Sequence, residues 1–505
     1  MKAILLLLTL IFRCSFFYAQ KHDNVWIFGY GDDVKKGKGV SMNFVEKPPA
    51  INSFFSPAGF KYLNAAQVLS DSSGGLICYT NGCDLVNRKH EYMLNGDSLN
   101  IGEPWAGGHI FCDQVGYPTM QSLLFLLYPA HKNQYVLVHL NQRKKARYPD
   151  ELLYTVIDAA GDHGDGAVTE KARFVHGAAY ADALTAVKHG NGRDWWIIAP
   201  VRESNMYHIF LLSPQGISQP KVQSIGDAGL YNFACQAVFS PDGTQYARHA
   251  PYYGKAQILS FDRCAGEFCC PRNISYPVKD STNVIAGGLA FSPNSRLLYI
   301  SITIEMFQFD TWSNGSGLLK IGDYDGFKSP HFSTLFFQQV LAPDGKIYMG
   351  TINGNDVLHI VHAPDSLGLA CRFEQHTLKL PTQYGSAMPN FPHYRLYDLR
   401  GSICDSLGID TPGGGDTTWA IRKDRIQVWP SPADQVVTVS IPPDAVGPLR
   451  VYNVLGQLMY ELSSVRGSLS LTLDVASYPA GVYFATVYVD KEFRYTARWV
   501  VARGR

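Results

Sequence analysis

The groups in this chain that could do chemistry are numerous but badly spaced for it. The string HEYML, beginning at His90, opens like the helix of a zinc protease, yet no second histidine stands four residues on to complete the chelate. His359 and His362 lie three apart in an apparent strand, and an odd separation sends side chains to opposite faces, so they do not grip one metal. A nucleophile elbow needs Gly-x-Ser-x-Gly, and the nearest string, NGSGL at 314–318, lacks that spacing. Neither standard phosphate-cradling glycine loop is present. Two acidic loops, GDHGDG with Asp162 and Asp165 and GDYDG with Asp323 and Asp325, offer paired carboxylates of the kind calcium takes, but neither is an EF-hand, and Asp-Gly is also what hairpins use to turn. No catalytic residue and no cofactor is assigned from these patterns, and structural calcium is the one metal reading they leave.

The ten cysteines point to a compartment instead. The start, MKAILLLLTLIFRCSFFYAQ, has Lys2, an apolar stretch from Ala3 to Phe12 and a small residue at Ala19, which reads as a secretory leader over 1–19 cut between Ala19 and Gln20. Residues Ile11 to Arg13 before Cys14 are not the small ones that lipoprotein processing needs. Removal of Cys14 leaves nine cysteines in an oxidising space, so one stays unpaired or pairs outside the chain. Cys78 and Cys83 bracket the turn-like YTNG and form one candidate bridge, and Cys264 with nearby Cys269 forms another, with Cys270 as the alternative partner. No later apolar run is long enough for a spanning helix.

The elements that must position these residues are strands. Aromatic residues make up 13% and charged residues only 17% of the chain, and the apolar runs between turn signals are short. CQAVFSPDGTQYARHA, GGLAFSPNSRLLYISI and FQQVLAPDGKIYMGTI share one design: an apolar run, a Pro-Asp-Gly or Pro-Asn-Ser turn, and an alternating run. AAQVLSDSSGGLICYTNG, LLFLLYPAHKNQYVLVHL and LTAVKHGNGRDWWIIAP follow it more loosely. Recurrence at about 50 residues is the WD40-like period of propeller blades, and no 3.6-residue periodicity supports a helical solenoid. The reading is an all-β chain with a β-propeller over 20–400, seven blades favoured and six the other count. The early strands NVWIFG and GVSMNF are expected to complete a last blade with VLHIVHA and CRFEQHTLKL, closing the ring. A large sandwich or stacked barrels is the competing architecture.

After AMPNFPHYRLYDLRG, the run TPGGGDTT marks 401–425 as a flexible linker. Alternation then resumes over 426–505 in short strands, as in a small Ig-like β-sandwich. Its segments VWPSPADQVVTVS, VYNVLGQLMYE and LDVASYPAGVYFATV, with Pro430, Pro432, Gly456, Pro479, Gly481 and Tyr483 at their turns, resemble the type A sorting domain of the Bacteroidota type IX secretion system. One departure is Ser431, where that family usually has Asn. The resemblance implies Sec export, recognition by the type IX translocon, removal of the tail by a sortase-like peptidase, and a protein anchored to lipopolysaccharide or released. An ordinary Ig-like adhesion module is the alternative. NVWIFGYGDDV, LAPDGKIYMGTI and MPNFPHYRL are in turn similar to the propeller-like N-terminal region of large Bacteroidota surface proteins, most of which have no defined activity.

A net charge of +1 gives no global field for nucleic acid or an anionic membrane. Three functions fit what is left: a secreted or surface propeller whose loops, around a central funnel, bind an extracellular partner, glycan or matrix component; an extracellular hydrolase or lyase with a site assembled from several blades; or a structural part of the envelope or of gliding adhesion.

Overall fold

The computed structural model describes residues 20–30, 38–57, 60, 66–103, 112, 116–228, 230, 236–278, 286–313, 317–352, 354–386, 388–399, 402, 404, 405, 407, 426–429, 433–441, 446–454, 457–466, 469–488 and 494–503. The chain divides into two compact units at 415/416, inside the span read as a linker.

In the first unit the described strands form seven antiparallel sheets in chain order: blade 1 (25–55), blade 2 (67–87), blade 3 (123–177), blade 4 (185–224), blade 5 (237–275), blade 6 (287–323) and blade 7 (336–384). Every quoted hairpin is the inner pair of a blade; Ala237–Phe239 with Gln245–Ala250 is one case. Their turns are held alike. Gly243 and Gly345 donate backbone N–H to Ser240 and Ala342 at 2.8 and 2.9 Å, and Ser295, at φ 63°, does the same to Ser292 at 2.9 Å. The turns also interlock: Asp242 N–H donates to Ser295 Oγ at 3.1 Å, joining blades 5 and 6, and Asn294 N–H donates to Asp365 at 2.9 Å, joining blades 6 and 7.

Seven apolar clusters are each shared between two successive blades. Strand alternation builds them. In blade 1, Val25 and Ile27 face Val68 and Tyr79 of blade 2, while Trp26 and Phe28 face Tyr348 and Tyr384 of blade 7. With both faces covered, a strand such as LLFLL at Leu123–Leu127 is apolar throughout rather than alternating. Burying each such side chain contributes about 1.5–3 kcal/mol.

The ring closes differently from the sequence expectation. Asn355–Val361 and Phe373–Tyr384 pair within blade 7, whereas Val25–Tyr30 and Lys38–Asn43 continue into Ala50–Phe55 and make their own three-stranded sheet. That third strand was hidden, because AINSFF follows a Pro-Pro turn and is only half-buried. Closure runs through side chains: ring centroids lie 5.6 Å apart for both Trp26–Tyr348 and Phe28–Tyr384, and one backbone bond joins Gly385 N–H to Gly29 C=O at 3.0 Å.

The second unit is an Ig-like sandwich. One sheet holds Gln427–Trp429, Val436–Ile441 and Leu469–Asp474; the other holds Leu458–Arg466, Val446–Asn453, Gly481–Tyr488 and Arg494–Val501. Val437, Val439, Leu449, Val451, Tyr483, Ala485 and Trp499 fill the space between them. Among the described residues no helix is long and apolar enough to cross a membrane.

Candidate functional site

At the ring axis the innermost strands expose backbone groups, and glutamines satisfy them. Gln121 accepts from Ala237 N–H at 2.9 Å and donates to Ala237 C=O at 2.7 Å. Gln236 does the same further round, accepting from Leu289 and Gln339 N–H and donating to Gln339 C=O. Residues 388–396 then run through the centre. Asn390 donates from Nδ2 to Leu123 and Leu184 C=O at 3.0 and 2.9 Å, and exchanges backbone bonds with the Gln67 amide. His393, whose pKa burial lowers, bonds Phe239 C=O at 3.0 Å, and Tyr394 donates to Phe125 C=O at 2.7 Å. A cavity of about 50 Å³ lies beside this segment, room for a few waters and no more. Among the described residues, the expected central funnel is thus occupied by the chain's own segment 388–396.

The segment leaves between blades 4 and 5 as a strap. Arg395 makes a two-pronged ion pair with Asp23 at 2.6 and 2.7 Å, Leu399 N–H donates to Gly190 C=O at 2.7 Å, and a disulfide joins Cys404 to Cys264. A second disulfide joins Cys83 to Cys112. These pairings correct the sequence candidates. Cys78 is a free, buried thiol on the strand Leu76–Thr80, and Cys269 is free and exposed. Short spacing misled because Cys78 packs into the cluster between blades 2 and 3, while partners of the other two come from 29 and 140 residues away.

Beside the strap, between the inner hairpins of blades 3 and 4, lies a groove of about 540 Å³. Its floor is aromatic: Trp195 and Tyr135 are buried, and Tyr128 stacks on His131 with centroids 4.1 Å apart. Lys188 sits beneath it, 3% exposed, with Nζ donating to Tyr394 C=O at 2.8 Å and to Gln20 Oε1 at 2.7 Å, and 5.1 Å from the Trp195 ring centre. Burial, reinforced by the charge of Arg263, pulls Lys188 down to about 7. His22 donates from Nδ1 to Ser70 C=O at 2.7 Å, and burial lowers its pKa. Lys132 stands at the edge, Arg193 beside it is paired with the Asp194 carboxylate at 2.7 and 3.1 Å, and no carboxylate lines the groove itself among the described residues. Gly192, at φ +76°, is required in the wall, since a Cβ there would meet the Asp398 backbone N at 2.9 Å.

The acidic loops do not converge. Asp165 pairs with Lys89 at 2.5 Å and Asp325 with His376 at 2.8 Å, while Asp323 is bonded to Lys320. His359 bonds Thr334 C=O at 2.9 Å and His362 bonds Glu374 at 3.0 Å, so the two histidines serve different partners.

In the second unit the described turn residues do meet. Tyr483 donates to Pro479 C=O at 2.7 Å and stacks on Trp499 with centroids 5.6 Å apart; Gly481 opens its strand. Arg503 gathers the region, donating to Val475, Ala476 and Tyr478 C=O at 2.6, 2.7 and 2.6 Å and to the Asp434 carboxylate at 3.3 Å. Tyr478 reaches Met459 C=O at 3.4 Å, so pieces of all three tail segments are tied together. Pro430, Pro432, Gly456 and Ala19 lie outside the described residues.

Residues 427–502 match the secretion system C-terminal sorting domain family. No curated protein matches the chain. Among solved structures, the chain is similar to a protein of Bacteroides fragilis provisionally named a 6-phosphogluconolactonase, at 12% identity and TM-score 0.42, covering 72% of this chain and 97% of that one. It is also similar to the periplasmic gluconolactonase of Pseudomonas aeruginosa, at 12% identity and TM-score 0.38, covering 72% and 96%. A third likeness is the Swd1 β-propeller domain of Myceliophthora thermophila, at 9% identity and TM-score 0.37, covering 66% and 92%. At these values they carry no functional argument. The tail does: the protein is exported through the type IX system to the cell surface or the medium, and its tail engages that machinery.

Proposed function

We propose that this is an extracellular binding protein of a Bacteroidota cell, whose propeller holds a saccharide in the groove between blades 3 and 4. The leader 1–19 is removed so that Gln20 begins the mature chain, 401–425 tethers the sorting tail, and a sortase-like peptidase releases the ring or transfers it to lipopolysaccharide. The observation that carries the binding role is the groove itself, lined by aromatic side chains, with Lys132 at its edge and no lining carboxylate among the described residues. Its volume is that of a small-ligand site. The part-exposed Tyr128–His131 pair offers a ring to the apolar face of a sugar, and Lys132 favours sugars carrying acid groups, with Arg193 able to share its Asp194 pairing with such a group.

The purified full chain, screened against uronate and neutral oligosaccharides by calorimetry, tests this. Uronates should bind best, and Tyr128→Ala with Arg193→Ala should weaken them by about tenfold or more, the factor that 1.4 kcal/mol represents. Failure of every saccharide to bind, or unchanged affinity in the double variant, would refute the reading.

A further inference from the structure

The outer strand of blade 5, Glu267–Ser275, carries two adjacent exposed cysteines. In a regular strand neighbours point to opposite faces. Here the ladder slips: Ser260 faces Cys269 while Ile258 faces Arg272, so one extra residue is accommodated on the outer strand. Cys270 takes the left-handed conformation at φ 56°, uncommon for a non-glycine residue. The bulge turns both side chains to solvent and leaves their sulfurs 2.6 Å apart. The third nearby cysteine, Cys264, is already bound to Cys404.

We propose that Cys269 and Cys270 are an oxidation site that closes to a vicinal disulfide during export. The co-reactant is a protein disulfide donor of the oxidising space outside the inner membrane. A Cys270 thiolate attacks one donor sulfur, breaking the donor's S–S bond and releasing one donor thiol. Cys269, as thiolate, then attacks Cys270 Sγ in the mixed disulfide and expels the second donor thiol. The pair loses two electrons and two protons, and the donor is reduced to a dithiol. Burial, with the adjoining sulfur, raises the Cys269 pKa, which fits its place as the second attacker. Closure locks the bulge, and a bulged edge strand is a poor template for pairing with another chain.

The test uses the exported full chain, denatured without reductant in excess iodoacetamide and cut with a glutamyl endopeptidase, which cleaves after Glu267 and so separates this pair from Cys264. The fragment carrying Cys269 and Cys270 should be lighter than its dithiol by two hydrogens and take no alkyl group, then take two after reduction. Two alkyl groups without reduction, or a cross-link from either cysteine to another peptide, would overturn the proposal. In Cys269→Ser the second attack is lost, so Cys270 should be held in the mixed disulfide and take its alkyl group only after reduction; ready alkylation of Cys270 without reductant would overturn the step in which it attacks the donor.

Discussion

Arg503 gathers into one guanidinium what lies far apart in the tail: three carbonyls from 475–478 and the carboxylate of Asp434. Charge-assisted bonds of this kind are worth about 1.5–3 kcal/mol each when sheltered, and the arginine is 34% exposed, so we assign the clamp about 2 kcal/mol in total. Arg503→Ala should therefore reduce delivery to the outer surface several-fold, with the chain retained in the periplasm, and Arg503→Lys should recover only part, because a lysine lacks the fork. Fractionation and immunoblotting read this; full delivery of the alanine variant would contradict it. Residue types at Pro479, Gly481 and Tyr483 were legible because the tail's resemblance names them. The role of Arg503 was not, since all its partners sit elsewhere in the chain and no spacing advertises them. The same holds for Gln121 and Gln236, whose recurrence before apolar runs was visible but whose partners are backbone groups of neighbouring blades.

Hairpins were the elements most readable in the sequence, because Pro-Asp-Gly and Pro-Asn-Ser turns act locally and the runs beside them are apolar on both faces. The strap at 388–404 was the least readable. MPNFPHYRLYDLR has neither alternation nor helical period, and its bonds go to inner strands of four blades. Its terminal fastening closes a span of 140 residues through Cys264 and Cys404, worth about 4 kcal/mol or more in the chain-entropy picture. Cys404→Ser should lower the thermal midpoint of the full chain by several degrees, as differential scanning calorimetry would show; an unchanged midpoint would mean the strap holds without its disulfide. Gly190→Ala should have a similar effect, because a methyl there would run into both sulfurs of that bridge.

At the scale of the molecule, seven blades share seven cores, and several titratable groups are sealed within them. His139, His249 and His359 are buried, and desolvation depresses their pKa values to about 3, 3 and 4. In the unfolded chain these groups titrate near about 6.5. Below that pH the unfolded state binds protons the folded state refuses, so stability falls as pH drops from 6.5 toward 4, and these three add no slope above it. The thermal midpoint should decline over that window, and less steeply in His139→Gln, which keeps an amide to meet Asn100 and Thr155. Parallel curves for the two proteins would assign the acid sensitivity elsewhere. Six of the seven blades and the two-unit plan followed from recurrence and composition; the first blade and the ring closure did not, because the early strands pair with the half-buried Ala50–Phe55 and meet the last blade only through aromatic contacts. The account as a whole holds that the ring is cargo and the sandwich its export signal. Expressing the full chain and a version ending at residue 405 in a host with a working type IX system, and assaying each for surface accessibility to protease, tests that directly: the full chain should be digested on intact cells and the truncated chain protected in the periplasm, and equal surface exposure of the two would contradict it.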